Sequence, residues 1–225
     1  MCGRYIIRQL IEAERYFDLQ RASWTFSASY NVAPTDLVPI VRSVKGVREG
    51  VSVRWGLIPY FARGEPGKFS TINARIETLE TAASYRGPWQ RGQRCLQIAS
   101  GFYEWHVDGR GRKVPYLIQL ADQPFFAFAS LWERSRKPDG TQLESCVLIT
   151  MPGNDLMREI HNTGANPYRM PALLAREDWE LWLTGNPAEA RAALRQYPAD
   201  RMDAHQVSPR VNTPKNNDES LTEPV

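Results

Sequence analysis

The sequence predicts an α+β fold in one domain, a curled, mainly antiparallel sheet or open barrel with flanking helices. Three observations carry that expectation. Short strand-like apolar runs succeed one another through the middle of the chain. Asp108-Gly109 stands between two of them as a hairpin-turn signal. Helical patterns are confined mainly to the flanks and the C-terminal half.

In chain order, residues 8–20 read as a short amphipathic helix, with Leu10, Ile11 and Phe17 among charges. Tyr30-Asn31-Val32-Ala33-Pro34-Thr35 is a loop signal. Strand-like runs follow at Leu37–Val44, Val51–Ile58, Cys95–Val107, Val114–Leu120, Phe125–Trp132 and Cys146–Met151. Asn154 can cap a helix reaching His161, and Arg176–Thr184 reads as another, closed by Gly185. Asn186 at the cap and Pro187 in the first turn open one through Arg195. From Ser208 the chain is polar, with three prolines, and is expected to lie over the surface. No repeat, low-complexity linker or domain boundary interrupts residues 1–225.

The chain has 225 residues, enough to bury a core, and its 42% hydrophobic and 24% charged content is that of a soluble globular protein. No apolar h-region follows Met1, and no run approaches a membrane span, so neither secretion nor membrane insertion is expected. Cys2, Cys95 and Cys146 are odd in number and widely spaced, which fits a reducing cytosol rather than a disulfide framework. Without a Cys-x-x-Cys pair or a His-rich cluster, no metal or other cofactor is expected. Net charge is +3, yet residues 41–115 hold 13 Lys/Arg against 6 Asp/Glu. That concentration hints at a polyanionic partner. Arg outnumbers Lys 23 to 5, which suits phosphate, although GC-rich coding alone also produces such a bias.

Cys2 directly follows Met1. Removal of Met1 would expose an amine and a thiol on adjacent carbons. The amine of such an aminothiol condenses with an aldehyde, and the thiol then closes a five-membered thiazolidine. An α-amino group has a pKa of ~8, so roughly a quarter of it is unprotonated near pH 7.5. Taken by itself, Cys2 could equally be a small residue in a frayed terminus.

Four other segments carry candidate chemistry. Glu104, within Gly101-Phe102-Tyr103-Glu104-Trp105, lies between aromatics that should desolvate it and raise its pKa. It could also face outward from a strand. Asn73 and Arg75 are two apart, so on a strand they share a face and could meet one ligand, or form an exposed polar edge. His161 ends a helix and could shuttle protons near neutral pH, where a structural or solvated His is the alternative. His106 reads as exposed beside a turn, and His205 lies near a terminal strand. Trp55-Gly56-Leu57-Ile58-Pro59-Tyr60-Phe61 offers aromatics in the basic region, suited to base stacking or to core packing.

Met1-Cys2-Gly3-Arg4, Tyr30–Thr35, Trp55–Pro59, Ile72-Asn73-Ala74-Arg75, Gly101–Trp105, Ile160-His161, Arg169-Met170-Pro171 and the tail from Val207 to Pro224 follow in this order along the chain. Together they resemble the SRAP family, the SOS-response-associated peptidase or abasic-site-processing proteins. The resemblance implies a DNA-damage sensor that traps the ring-opened sugar of an abasic site in single-stranded DNA as a covalent crosslink. By motif, Cys2 would be the nucleophile, amine first and thiol second. Asn73 would hold the sugar or the Cys2 end, Glu104 would relay protons, and His161 would help open the sugar and reverse the crosslink. Arg4 and Arg75 would grip flanking phosphates. Asn31 and Pro34 would line the DNA channel, with Trp55, Phe61 and Arg169 as further contacts. The partner would be single-stranded DNA with abasic sites, bound by a cytoplasmic, nucleoid-associated monomer. A peptidase or Met1 autopeptidase, a Schiff-base lyase side activity and a non-covalent single-strand binding module are the rival readings. Two departures from the family pattern stand out. Residues 162–168 separate His161 from Arg169, and Phe61 stands where the family commonly has Trp.

Overall fold

The computed structural model of the chain describes residues 2–8, 12–24, 27–121 and 123–225. Its strands are β1 (Tyr5–Ile7), β2 (Arg21–Ala22), β3 (Ser29–Val32), β4 (Leu37–Val44) and β5 (Val47–Trp55). They continue with β6 (Asn73–Arg75), β7 (Arg94–Ala99), β8 (Gly101–Val107), β9 (Lys113–Leu120) and β10 (Phe126–Arg136). The last are β11 (Gln142–Pro152), β12 (Arg169–Pro171), β13 (Leu173–Leu174) and β14 (Met202–Gln206). The helices are short: α1 (Ala13–Tyr16), α2 (Arg86–Gln90), α3 (Asp155–Ile160), α4 (Trp179–Thr184) and α5 (Pro187–Ala193). The α+β class predicted from sequence is the one observed. No helix among the described residues is long and apolar enough to cross a membrane.

The barrel is closed rather than open. β5 pairs β4, β4 pairs β7, β7 pairs β10 and β10 pairs β11, all antiparallel. β11 then returns to β5 through a parallel pairing of Ser145 with Arg54 and Cys146 with Trp55. Sequence patterning shows strands but not the long-range pairing that closes a ring. The β4–β5 hairpin turns at Lys45 and Gly46, both at positive φ, so β5 starts earlier than the apolar run beginning at Val51 suggests.

The apolar run Cys95–Val107, expected as one strand, is two. β7 belongs to the barrel and β8 to a second sheet ordered β14-β9-β8-β1-β3. Ser100 makes the break: its N–H donates to Ile6 O and its hydroxyl accepts from the Arg8 N–H. These bonds lock the corner onto β1. Along β1 the side chains alternate: Tyr5 and Ile7 enter the main core, and Ile6 enters a smaller core on the other face. Tyr5 meets Trp55 edge-on at 5.1 Å and Phe128 at 5.6 Å. Such ring pairs contribute about 0.5–1.5 kcal/mol each beyond area burial.

The helix expected over residues 8–20 shrinks to Ala13–Tyr16, and Leu10 and Ile11 lie outside the described residues. Phe17 is fully buried and stacks on Trp179 at 4.6 Å, so tertiary packing takes it just past the helix end. The later caps fall as the sequence indicates. Asn154 accepts from the Met157 N–H at the start of α3, and Asn186 with Glu189 forms a capping box at α5.

The C-terminal tail from Ser208 runs over the surface as a strap, most of its residues exposed, and two side chains pin it. Val211 and Leu221 are fully buried with Ile6, Tyr103, Leu117 and Val207, and Val207 bridges to Pro224. Two apolar side chains spaced through a polar segment suffice to seat it.

Candidate active site

Cys2 enters the site because of strand register. β1 pairs β8 antiparallel with Tyr5 opposite Phe102 and Ile6 opposite Gly101, and the Tyr103 N–H donates to Arg4 O. Extending that register puts Gly3 across from Glu104 and brings the start of the chain to the acid. Cys2 is fully buried, and its Sγ lies 3.8 Å from Arg4 O. Burial pushes the thiol well above its usual range, and the nearby negative charge of Glu104 pushes it further.

β6 supplies the second element. It lies parallel to β11, with Asn73 beside Leu148 and Arg75 beside Thr150. The Asn73 Nδ2 donates to the Cys2 carbonyl at 2.8 Å. Tyr85, at the approach to α2, donates its hydroxyl to Asn73 O at 3.3 Å and steadies the strand. The Asn73 Oδ1 is buried and has no hydrogen-bond partner among the described residues. It is a vacant acceptor beside the Cys2 backbone. Arg75 is exposed on the same strand and makes no ion pair among the described residues.

Glu104 is 2% exposed, and burial raises its pKa from 4.5 to about 7. The acid is therefore held near half-protonation around neutral pH, the condition for proton transfer in both directions. His161 caps α3 at its C-terminal end, its N–H donating to Met157 O. The ring is buried, which lowers its pKa to about 4, so it is neutral where Glu104 titrates. Its Nδ1 accepts the backbone N–H of Arg169 at 3.2 Å. In a neutral imidazole that leaves the proton on Nε2, the nitrogen that faces Glu104 Oε2 at 3.9 Å. The separation is longer than a direct hydrogen bond. With a neutral His the two do not form an ion pair near pH 7.

The longer segment 162–168 leaves this geometry intact. It loops out and returns, with the Tyr168 N–H on His161 O at 2.7 Å and the Arg169 N–H on the ring. The chain ends of the loop close on one residue, so its length is absorbed outside the site.

Three expected DNA contacts have other partners here. Trp55 is fully buried, with its indole N–H on Ile72 O, so it packs the barrel closure instead of stacking on a base. The Arg169 fork grips both Glu77 carboxylate oxygens and also Thr150 O, so its charge is already matched. Asn31 is 3% exposed, and its amide is spent on the tail carbonyls of Val211, Thr213 and Asn216. It therefore does not line an open channel. Pro34 is half-buried at the turn before β4. Arg4 is half-buried, and Phe61 is 53% exposed beside the exposed Tyr60. Of the other histidines, His106 donates its Nδ1–H to Glu159 O and His205 its Nε2–H to Thr222 O.

Sequence reasoning missed Glu77 and the burial of Val211 and Leu221 in the tail. Glu77 follows Arg75 by two residues, but the strand ends at Arg75 and Glu77 sits in a 3-10 turn, so strand alternation does not point to it. Val211 and Leu221 were the visible apolar signal in the tail. No group of three metal-ligating side chains occurs among the described residues.

The family model described as SOS response associated peptidase (SRAP) matches residues 1–214. The abasic site processing protein YoqW of Bacillus subtilis (strain 168) is 37% identical over 230 residues, covering 99% of each chain. The abasic site processing protein HMCES of Gallus gallus is 28% identical over 269 residues, covering 100% of this chain and 78% of that protein. A solved structure from Bacteroides thetaiotaomicron superimposes with a TM-score of 0.87 at 28% identity, covering 100% of both chains. The chain belongs to the SRAP family.

Proposed function

We propose that this member of the SRAP family processes abasic sites, and that it does so by covalent capture in single-stranded DNA through Cys2 once Met1 is removed. The observation that carries the reading is the meeting of the Cys2 backbone, held by Asn73, with Glu104 and His161. The abasic-site names of its relatives support the substrate class.

The neutral α-amine attacks the C1 aldehyde of the ring-opened deoxyribose and gives a carbinolamine. Glu104 in its protonated form donates to the departing hydroxyl, and water leaves as the C=N bond forms. The Cys2 sulfur then adds to the carbon of the resulting iminium, whose nitrogen keeps its hydrogen, and the thiol proton passes to the Glu104 carboxylate, which restores the acid. One water is lost overall and no redox partner is required. The His161 Nε2–H is suited to donate to the sugar ring oxygen during opening, and to assist the reverse reaction. The Asn73 Oδ1 supplies an acceptor for the amine or the sugar. Arg75, exposed and without an ion pair among the described residues, and Arg4 are suited to flanking phosphates. Phe61 is suited to stack on a base.

A peptidase reading needs an activated thiolate as the first nucleophile. Burial holds the Cys2 thiol in the opposite state, which favours a route in which the amine attacks first. Lyase cleavage by β-elimination would branch from the same Schiff base.

Intact mass measured before and after incubation with an oligonucleotide bearing one abasic site tests the reading. The expected product is protein lacking Met1 plus the oligonucleotide minus one water. No adduct above a Cys2→Ala control would exclude covalent capture.

A further inference from the structure

Arg4 stands two residues beyond Cys2, and neutral oxygens hold it. Its Nη1 donates to Asn31 Oδ1 at 2.8 Å and to Val211 O at 2.7 Å. Its Nη2 donates to no acceptor among the described residues, and its Nε is buried without a partner. No carboxylate lies within ion-pair distance of it among the described residues. Arg42, Arg48, Arg91 and Arg169 contrast with it, since each is matched to a Glu. Losing solvent without gaining a counter-ion is costly for a guanidinium. Asp36 acts on Arg4 only from beyond ion-pair distance, and a cation that is half-buried, oriented and in direct contact with neutral oxygens alone is a built receptor for an external anion with paired oxygens.

Both ends of the chain build this receptor. Asn31, on β3, shares its two Nδ2 hydrogens among the carbonyls of Val211, Thr213 and Asn216, at 3.3, 3.1 and 2.7 Å. Its Oδ1 takes the Arg4 hydrogen bond. One buried carboxamide thus fixes the strap and the guanidinium together. Asn217 adds a second tie from the strap, its Oδ1 accepting the Tyr30 N–H at 2.7 Å and the Ser29 hydroxyl at 3.3 Å. Leu221 O receives the Tyr103 hydroxyl, and Asn212 receives the Trp105 indole N–H, so the strap also spans β8, the strand of Glu104.

We propose that Asn31 and residues 211–216 of the strap are positioning elements of a phosphate subsite at Arg4, which makes the C-terminal segment part of the DNA-binding site. The inference rests on the single-stranded DNA reading above, and its test uses undamaged DNA, so the abasic chemistry does not enter.

Affinity for an undamaged single-stranded oligonucleotide is measured by fluorescence anisotropy across a salt series. Arg4→Ala should flatten the plot of log affinity against log salt by about 0.7, the signature of one lost phosphate contact on a single strand. Asn31→Ala should reproduce most of that loss although Arg4 is intact. The double variant should lose no more than Arg4→Ala alone, because the two side chains act as one unit. Asn217 is exposed and touches neither Arg4 nor Asn31, so Asn217→Ala should give about half the slope change by loosening the strap.

A folded Asn31→Ala protein with wild-type slope overturns the proposal, and so do fully additive losses or an Arg4→Ala protein with unchanged slope. If Asn31→Ala does not fold, wild-type affinity in Asn217→Ala overturns it. Intact binding of undamaged DNA without any abasic adduct would instead sink the capture chemistry and leave the subsite standing.

Discussion

Replacing Glu104 by Gln should make the protein more stable and less reactive at the same time. Burial raises the Glu104 pKa from 4.5 to about 7 in the fold. The folded chain therefore holds a proton at pH values where the unfolded chain has lost it. Below pH 4.5 both states are protonated and the site costs nothing. Between pH 4.5 and 7 stability falls as pH rises, and above 7 the full cost remains. A shift of that size corresponds to on the order of 3 kcal/mol. Gln keeps the shape without the charge and removes the penalty. For a chain of this length the gain in Tm at pH 8 is about 6–12 °C. His161 works in the opposite sense: its pKa is lowered to about 4, so its contribution is lost as pH falls from 6.5 toward 4. Both proteins carry His161, and it cancels in the comparison. Thermal melts of the two proteins from pH 4.5 to 8.5 provide the assay. The gap should open with rising pH and level off above 7, while abasic-site capture slows about 100-fold or more with the loss of acid–base assistance. Melting curves separated by a constant offset at every pH would refute a desolvated, proton-holding Glu104.

Asn73→Ala removes the 2.8 Å bond to the Cys2 carbonyl. At about 1 kcal/mol net for such a bond, single-turnover adduct formation should slow about 5- to 10-fold. Trp55 and Phe61 should separate cleanly. Trp55→Ala empties a fully buried site and should cost about 3–5 kcal/mol in chemical denaturation. Phe61→Ala, at an exposed ring, should leave stability near wild type and weaken single-strand binding by about 1–3 kcal/mol in the anisotropy assay.

Several of these residues were legible one at a time. Glu104 lies in an apolar strand, and that pattern pointed to burial, although Tyr103 and Trp105 face the smaller core on the other side and Glu104 is buried towards Cys2 and His161. Asn154 and Asn186 capped helices because capping depends on bonds only two or three residues away. Trp55, Asn31 and Arg169 have partners that the sequence did not show, for the opposite reason. An aromatic or polar side chain in a loop-like motif has no local property that says whether it faces solvent. Trp55 went inward because β11 returns to close the barrel on β5, and Asn31 was claimed by a segment some 180 residues away. Arg169 was claimed by Glu77, 92 positions distant.

Cys2 itself divides in the same way. The sequence alone determined its reagent: a cysteine at position 2, which removal of Met1 would turn into an amine and a thiol on adjacent carbons. It also determined the acid, the imidazole and the amide that the proposed chemistry would use, because these are properties of residue type. The tertiary structure decided that they meet. Antiparallel pairing of β1 with β8 carries the first residues to Glu104, and parallel pairing of β6 with β11 delivers Asn73. A backbone N–H from beyond a seven-residue loop sets which imidazole nitrogen carries the proton. Long-range register and burial fix those meetings, and both arise from the packing of the whole chain rather than from any window of it.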